Sequence, residues 1–421
     1  MARAGLIIVC MLAVSLGVSI TLSWIFLIAL GLWILVRCLS DREPSMFIGF
    51  LGALSKAPLT IPLLIYCLVL FISGYVNALG DGGATASSAL KEGLAALASA
   101  RGFLIYLAVF AYFHIASDKD KRYVVSTFLY LGAISGVFAC IQQVFNFHPF
   151  TYPYLQATGF LNAPMPYAGL TQIATFISLA FWLDCQKHAA EYCLPWGLKR
   201  RGLLLAVTVC NILGLLFASE RSAWLGAIIA SLIYFATRSI KQFGMAVLSG
   251  AVALVLAYQC VPVVKTRLEP LISGQKDVGV NDRLKIWQVA MQKFEQKPLL
   301  GQGPRRFPRL DLPESIVPGH STDINHGHSN YMHILATTGL IGITAYLYLL
   351  AQSLYLAFRS WRDGQRDLQS TLGQGMLFAL VSLAVAGIFE YNFGSAQVRL
   401  IQWFWLAMLI KPSSAASRQE K

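Results

Sequence analysis

Long apolar stretches alternate with short polar segments along nearly the whole chain. The first stretch, residues 5–36, exceeds the roughly 20 residues of one membrane span, so it predicts a hairpin of two short helices that bends around Ser15 to Ser19. Further stretches predict spans over residues 58–76, 103–115, 124–145, 167–183, 203–217, 223–236, 243–260, 331–358, 371–389 and 401–410. The pattern predicts an all-α polytopic membrane protein with about twelve transmembrane helices.

One long polar segment interrupts this pattern and divides the chain. We expect nine spans in residues 1–260, a loop with short helices in 261–329, and three spans with a tail in 330–421. A segment rich in small residues, 80–93, is predicted to be a loop between the third and fourth spans.

The long loop contains one clear helical pattern, from about Arg283 to Glu295. Leu284, Trp287, Met291 and Phe294 recur at helical spacing, and Pro298 ends the pattern. Asn281 or Asp282 is the expected N-cap. Arg283 would then lie in the first turn, where free amides suit a phosphate.

Composition and charge agree with a membrane protein. The chain has 56% hydrophobic and 13% charged residues, and its net charge of +13 comes from basic residues that recur on alternate short loops. This bias predicts that both termini are cytoplasmic and that the long loop lies on the outer side of the membrane, which is the periplasm in a cell with two membranes. It explains the charge by topology and contacts with membrane lipids rather than nucleic acid. The eight cysteines show neither a CxxC pair nor metal-ligand spacing.

Several polar residues lie on the predicted periplasmic side. His326 and His328 precede a membrane helix, where an imidazole can accept a proton or simply lie at the interface. Arg221 lies in a five-residue turn between two spans. It either forms a salt bridge with Glu220 or Glu390, or binds an anion such as phosphate.

Three further positions have two interpretations each. Gly301 and Gly303 allow a turn that brings Arg305 and Arg306 towards the membrane, where they contact lipid headgroups or the phosphates of an acceptor. Tyr331 either lines an acceptor site or packs at the interface, which is the favoured interpretation. His333 is expected to be a buried core residue.

Three segments together carry a resemblance: ASERSAWLG (218–226), NDRLKIWQVAMQKFEQKPLLGQG (281–303) and HSNYMHILATTGLIG (328–342). In this order they resemble the signatures of the bacterial O-antigen ligase and polymerase superfamily. The resemblance implies a glycosyltransferase that moves a glycan from undecaprenyl diphosphate to a sugar hydroxyl in the periplasm. It also implies that His328 is the essential histidine and that Arg221 and Arg283 are the essential arginines.

This chain departs from the family pattern at one position. Many members have Asn directly after the histidine, whereas here Ser329 precedes Asn330, which leaves the role of that Asn open. With a lipid diphosphate donor, His328 would act as general base and the two arginines would hold the leaving diphosphate in one inverting step. No nucleotide-binding fingerprint is present, and we expect no cofactor.

Metal dependence is the main alternative mechanism. His320, Asp323, His326, His328 and His333 offer ligand atoms for a divalent ion. The segment has few carboxylates, however, and arginines supply the positive charge that a metal would bring. We therefore expect a metal-independent reaction.

Three functions are compatible with these residues. The first is an O-antigen ligase that joins O-antigen from undecaprenyl diphosphate to lipid A-core oligosaccharide, in lipopolysaccharide biosynthesis. The second is an O-antigen polymerase or a protein O-oligosaccharyltransferase of the same superfamily. The third is a membrane transporter, which would use the arginines for binding alone. A single loop of moderate size favours the ligase, and the few charges within spans disfavour the transporter.

Overall fold

The computed structural model describes residues 2–40, 51–55, 57–80, 85–149, 156–184, 194–198, 200–273, 278–307, 326–363 and 367–410. Its principal helices are α1 Ala2–Ser15, α2 Ile20–Ser40, α3 Thr60–Leu79, α4 Ala86–Ala98, α5 Phe103–Ile115, α6 Asp118–Phe145, α7 Pro164–Asp184, α8 Arg201–Ala218, α9 Arg221–Ala236, α10 Ile240–Cys260, α11 Pro262–Ile272, α12 Val278–Gln296, α13 Asn330–Asp363, α14 Leu368–Phe389 and α15 Ala396–Met408. A 3-10 turn, Asn392–Gly394, precedes α15. The protein is an all-α polytopic membrane protein, as the sequence predicted.

Membrane spans can be recognised by length and apolar composition among the described residues. There, seven helices are long and apolar enough to cross a membrane, namely α2, α3, α6, α8, α10, α13 and α14, and the bent pair α4 and α5 makes an eighth if it counts as one span. The apolar helices α1 and α9 are shorter, with 14 and 16 residues. Helix α15 has 13 residues. The apolar pattern located these shorter helices as well as the longer ones.

Two local predictions have different outcomes. The hairpin near the N-terminus is present, because α1 ends at Ser15 and α2 begins at Ile20. The predicted loop at residues 80–93 is wrong over its described part, because α4 begins at Ala86. Thr85 caps this helix by accepting a hydrogen bond from the Ser88 amide at 3.2 Å. Small residues allow α4 to pack closely on α3, where Gly74 approaches Gly93.

Helix α7 lies at the centre of the bundle. Its side chains are buried from Tyr167 to Phe181, and it packs against α8 and α14. Polar side chains such as Gln172 are therefore paired inside the protein, where the Gln172 amide donates to Ser382 of α14 at 2.7 Å. Helix α10, in contrast, has no buried residue, which is expected of a helix surrounded by lipid.

Helix α13 contains a break at Gly339, which has φ 66° and ψ −163°. In a continuous helix the amides of residues 340 and 341 would donate to the carbonyls of residues 336 and 337. The segment Pro298–Gly303 is inserted between these groups instead. Four backbone hydrogen bonds hold it there: Leu340 N–H to Pro298 O at 2.8 Å, Ile341 N–H to Leu299 O at 3.2 Å, Gln302 N–H to Ala336 O at 2.9 Å, and Gly303 N–H to Thr337 O at 2.8 Å.

The inserted segment thus pairs four backbone groups of α13 around the break, as backbone groups at membrane depth require. Helix α3 holds the same segment from another side. The Ser73 hydroxyl donates to the Leu300 carbonyl at 2.6 Å, and the Lys297 ammonium donates to the Asn77 side chain at 2.9 Å. The turn predicted at Gly301 is therefore the place where the segment after α12 contacts both α3 and α13.

We expect Gly339→Ala to destabilise the protein strongly. A methyl group at this position would collide with the Leu299 carbonyl, and the backbone conformation is open essentially to glycine alone. The expected loss is on the order of 2 kcal/mol or more, measured as a lower melting temperature of the purified protein in detergent. Gly250→Ala is the matched control, because nothing lies within 4 Å of its added methyl. Equal melting temperatures for the two variants would contradict this account of the break.

Candidate active site

Glu390 lies at the centre of a group of charged side chains. It follows the last residue of α14 and is only 7% exposed. Its Oε2 is 3.3 Å from Nη2 of Arg283 in α12, and its Oε1 is 3.5 Å from Nδ1 of His328. One buried carboxylate thereby joins two residues that are distant in sequence.

The charge state of Glu390 follows from these neighbours. Burial acts to raise its pKa, but the contact with His328 and the positive charge of Arg283 act in the opposite direction, and the pKa is lowered overall. Glu390 is therefore a carboxylate at neutral pH. The separation of 3.5 Å between the Glu390 carboxylate and Nδ1 of His328 is at the outer limit of a hydrogen bond.

His328 has an unusual backbone conformation. Its φ of 44° lies in the left-handed region, which is uncommon for residues other than glycine. Ser329 follows it and caps α13, since its hydroxyl accepts a hydrogen bond from the Met332 amide at 3.3 Å. The His328 amide itself donates to Nδ1 of His326 at 3.3 Å.

His326 remains neutral in this arrangement. Burial and the neighbouring His328 lower its pKa to about 4. A neutral imidazole can accept the hydrogen bond from the His328 amide through Nδ1. His326 thus supports the backbone of His328 through an uncharged contact.

Helix α12 supports the histidine segment from one side. Trp287 donates through its indole nitrogen to the Gly327 carbonyl at 2.9 Å. His333 is buried, accepts the Gly327 amide at 3.3 Å, and stacks on Tyr391 with a centroid distance of 3.8 Å. The structure therefore places His333 in the packing beneath the site.

Asn330 fixes the segment that carries Glu390. Its side-chain amide donates to Asn392 at 2.8 Å, and its carbonyl oxygen accepts the Phe393 amide at 2.9 Å. Tyr331 donates to the Ala384 carbonyl of α14 at 3.0 Å and is half-buried there. Both residues connect the start of α13 with α14 and the turn after it.

Arg221 approaches the same group from the turn between α8 and α9. Ser219 ends α8 with φ 54°, Glu220 follows, and α9 begins at Arg221. Burial and the charge of Glu390 raise the pKa of Glu220 to about 7, while Arg267, Arg283 and Arg221 oppose this rise. The charges of Glu390, Arg267 and Arg283 therefore lie within electrostatic range of this turn.

Two details of the predicted loop helix are wrong. Helix α12 begins at Val278, so Asn281 and Asp282 lie inside it and Arg283 is beyond its first turn. The free amides of the helix therefore do not place a phosphate beside Arg283, which is positioned by Glu390 instead.

The apolar face of α12 also differs from the expected one. Leu284 and Met291 are exposed, whereas Ile286 and Ala290 pack against Phe307 and Ala336. The periodic residues chosen from sequence lie beside this buried face, because α12 packs on α13 through its smaller side chains.

The remaining predicted site residues lie elsewhere or outside the described chain. Arg305 is exposed and pairs with Glu92 of α4 at 3.5 Å. Arg306 is half-buried beside Gly303. His320 and Asp323 of the alternative metal cluster lie outside the described residues.

The group His326, His328 and Glu390 has three ligand atoms within 4.8 Å of one another, a spacing that a metal ion can use. Arg283 already lies 3.3 Å from the same carboxylate, so a second cation would be repelled there. The arginines suit an anion better.

Comparison with known proteins gives two partial similarities in sequence. A family model described as O-antigen ligase matches residues 206–347, which include Arg221, Arg283 and His328. A protein of Rickettsia conorii named "Putative polysaccharide ligase" is 27% identical over 173 residues. Residues 206–347 of this chain are thus similar to the O-antigen ligase family. The match with the Rickettsia protein covers 38% of this chain and 40% of that relative, so it compares less than half of either.

Sequence analysis named two residues of this charged group only as possible partners of Arg221 and did not name a third. Glu390 and Glu220 were considered as partners of Arg221, and Arg267 was not considered. Glu390 lies beyond the matched residues 206–347. Its position directly after an apolar helix was the available signal, because a lone carboxylate at such a place needs a partner.

Glu220 should titrate near neutrality. We expect its protonated carboxyl band in infrared spectra to disappear with a midpoint near pH 7. Because this pKa lies above the ordinary 4.5, the stability that Glu220 contributes is complete below about pH 4.5 and is lost as pH rises through 7. Glu220→Gln should remove the band and flatten the fall in melting temperature over this range. Glu92→Gln is the matched control and should retain both features.

Proposed function

We propose that this protein transfers a glycan from undecaprenyl diphosphate to a sugar hydroxyl of lipid A-core oligosaccharide, at the periplasmic face of a bacterial inner membrane. The observation that carries the proposal is the bridge that Glu390 makes between Arg283 and His328. A base and an anion-binding group at one carboxylate are the two functions that such a transfer needs.

The reaction would be a single displacement. The acceptor oxygen forms a bond to the anomeric carbon of the donor sugar, and the bond from that carbon to the diphosphate oxygen breaks. The acceptor proton passes to His328, and undecaprenyl diphosphate leaves with the bonding electrons. One attack from the opposite face inverts the anomeric centre.

Glu390 would orient the base. Because Nδ1 of His328 faces the Glu390 carboxylate, Nε2 is the ring nitrogen that would receive the acceptor proton. The resulting imidazolium would be stabilised by the adjacent carboxylate, as in other carboxylate–histidine pairs. Glu390 is a positioning residue in this scheme.

Arg221 and Arg283 would bind the diphosphate. A guanidinium offers paired donors that match two phosphate oxygens and stays charged at all relevant pH values. The raised pKa of Glu220 favours an uncharged carboxyl beside them at neutral pH, which reduces repulsion of the incoming diphosphate. The positive charge of the cluster thus remains available to the leaving group.

His328→Ala should abolish transfer and leave the protein in the membrane. The test reconstitutes the purified full-length protein with undecaprenyl diphosphate glycan and lipid A-core, with and without a chelator, and separates the lipid products. We expect product from the wild type in both conditions. His114→Ala, in α5, is the matched control and should retain activity. Transfer by His328→Ala would contradict the assignment of the base.

The same assay distinguishes the related functions. Elongated donor-linked glycan would indicate a polymerase, and glycosylated protein would indicate a protein O-oligosaccharyltransferase. Glycolipid moved across the membrane without a new bond would indicate a transporter. Loss of product under chelation would restore the metal-dependent mechanism.

Arg221→Lys should lower the transfer rate even though the charge is kept. A lysine offers a point charge and cannot reproduce the paired donors of the guanidinium. The expected loss is on the order of 100-fold or more in kcat. Arg201→Lys is the matched control, since Arg201 packs over Trp182 at 6.0 Å and takes no part in the cluster. A fully active Arg221→Lys would show that this residue supplies charge alone.

A further inference from the structure

A second group of arginines surrounds a cavity of about 420 Å³ at the bend between α4 and α5. The two helices meet at 52°, and residues 99–102 form the bend. Arg101, Arg305 and Arg399 line the cavity together with Trp24. They come from the bend, from the segment after the Gly303 turn and from the first turn of α15.

Few of the donors in this cavity are paired. Arg399 donates from Nη1 to the Ser99 carbonyl at 2.8 Å, and its Nε is buried without a hydrogen-bond partner among the described residues. Arg101 lies over the Trp24 ring at 5.4 Å. Among the described residues, Glu92 is the carboxylate that forms an ion pair with one of these arginines, at 3.5 Å from Arg305. The cavity is thus strongly positive and suits a multiply charged anion.

An apolar cavity of about 380 Å³ lies on the other side of the bend. Its walls are mainly leucines from α3, α4 and α5, with Leu64, Leu97 and Leu104 among them. Arg101 lines both cavities. A guanidinium at the boundary between a charged space and an apolar one matches the boundary between the head and the acyl chain of a lipid.

The arginine cavity is connected to the candidate active site through a short segment of chain. Arg399 lies in the first turn of α15, directly after the turn Asn392–Gly394, and Asn392 of that turn accepts a hydrogen bond from Asn330 at 2.8 Å. Tyr391 follows Glu390 directly and stacks on His333. A molecule bound at Arg399 would reach towards His328 only if it extends beyond its phosphate, as a glycolipid does.

We propose that the two cavities bind the acceptor, with a phosphate of a phosphorylated glycolipid among Arg101, Arg305 and Arg399 and one of its acyl chains in the leucine-lined cavity. This assignment rests on the proposed transfer reaction. Nearness to Tyr391 favours an acceptor over a bulk phospholipid, because a structural lipid has no need to adjoin the site. The donor diphosphate has its own arginines in the Glu390 cluster.

The test compares Arg305→Gln and Arg399→Gln with wild type on intact lipid A-core and on the same acceptor after phosphatase treatment. We expect each variant to raise the KM for the intact acceptor roughly 10- to 100-fold, because each removes a charged hydrogen bond to phosphate. The KM for the donor and the kcat should stay near the wild-type values. Arg362→Gln, in which the lost guanidinium lies over Phe358, is the matched control.

The dephosphorylated acceptor gives the decisive comparison. The KM of the wild type for the dephosphorylated acceptor should be as high as the KM of the variants for the intact acceptor. Dephosphorylation should not raise the KM of the variants further. A variant that raises the KM by the same factor for the intact and the dephosphorylated acceptor would overturn the proposal. Arg305 is exposed and has no part in the helix packing, so its variant remains informative if Arg399→Gln fails to fold.

A binding measurement separates this proposal from the transfer reaction. Native mass spectrometry of the full chain in detergent, with lipid A-core added, reports acceptor binding without turnover. Loss of binding in Arg305→Gln would support the site even if no transfer is observed. Equal displacement of the acceptor by phosphatidylglycerol, with no effect of dephosphorylation, would assign the cavity to a bulk phospholipid and overturn the assignment.

Discussion

The site depends on the way the protein fills the break in α13. A membrane helix cannot leave backbone groups unpaired, so an opening at Gly339 requires partners from elsewhere in the chain. The segment Pro298–Gly303 provides them, and this segment follows α12 directly. Helix α12 carries Arg283, and the start of α13 carries His328. The four backbone hydrogen bonds therefore hold the two candidate site residues at a fixed separation.

Glu390 contacts both Arg283 and His328, which these hydrogen bonds hold apart at a fixed distance. A buried carboxylate is costly unless it has partners, and two positive or polar groups from rigid elements reduce that cost. Asn330 binds the turn at Asn392 and so links the base of α13 to the residue after α14. The stabilising contribution of Glu390 exists above its ordinary pKa range and is lost as pH falls through the lowered value. Glu220 behaves in the opposite sense, and the two carboxylates thereby differ in charge near neutrality.

The sequence predicted the helical class and the hairpin at the N-terminus. Apolar periodicity is a strong signal for helices, but it does not give their length in the membrane, so short helices such as α9 were counted as spans. Helix α4 was missed because its small residues resemble a loop until they pack against α3 at Gly74. The early start of α12 was missed because Asn281 and Asp282 favour caps by local preference, which tertiary contacts override. The role of Glu390 depends on contacts between distant elements, which local patterns do not contain.

Two strained residues show how the chain brings its candidate groups together. Ser219 and His328 both adopt left-handed backbone conformations, and each lies just before a helix of the site. Such a conformation costs of order 1 kcal/mol or more in a residue other than glycine, so neighbouring contacts must hold it. Gln156 donates to the Ser219 carbonyl at 3.2 Å, and His326 accepts the His328 amide. The left-handed residue turns the chain sharply, which lets α9 begin at Arg221 and α13 begin beside His328 within one charged cluster. Replacement of either residue by glycine would relieve the strain but also loosen the direction of the helix that follows, and for His328 it would remove the imidazole that the strain positions.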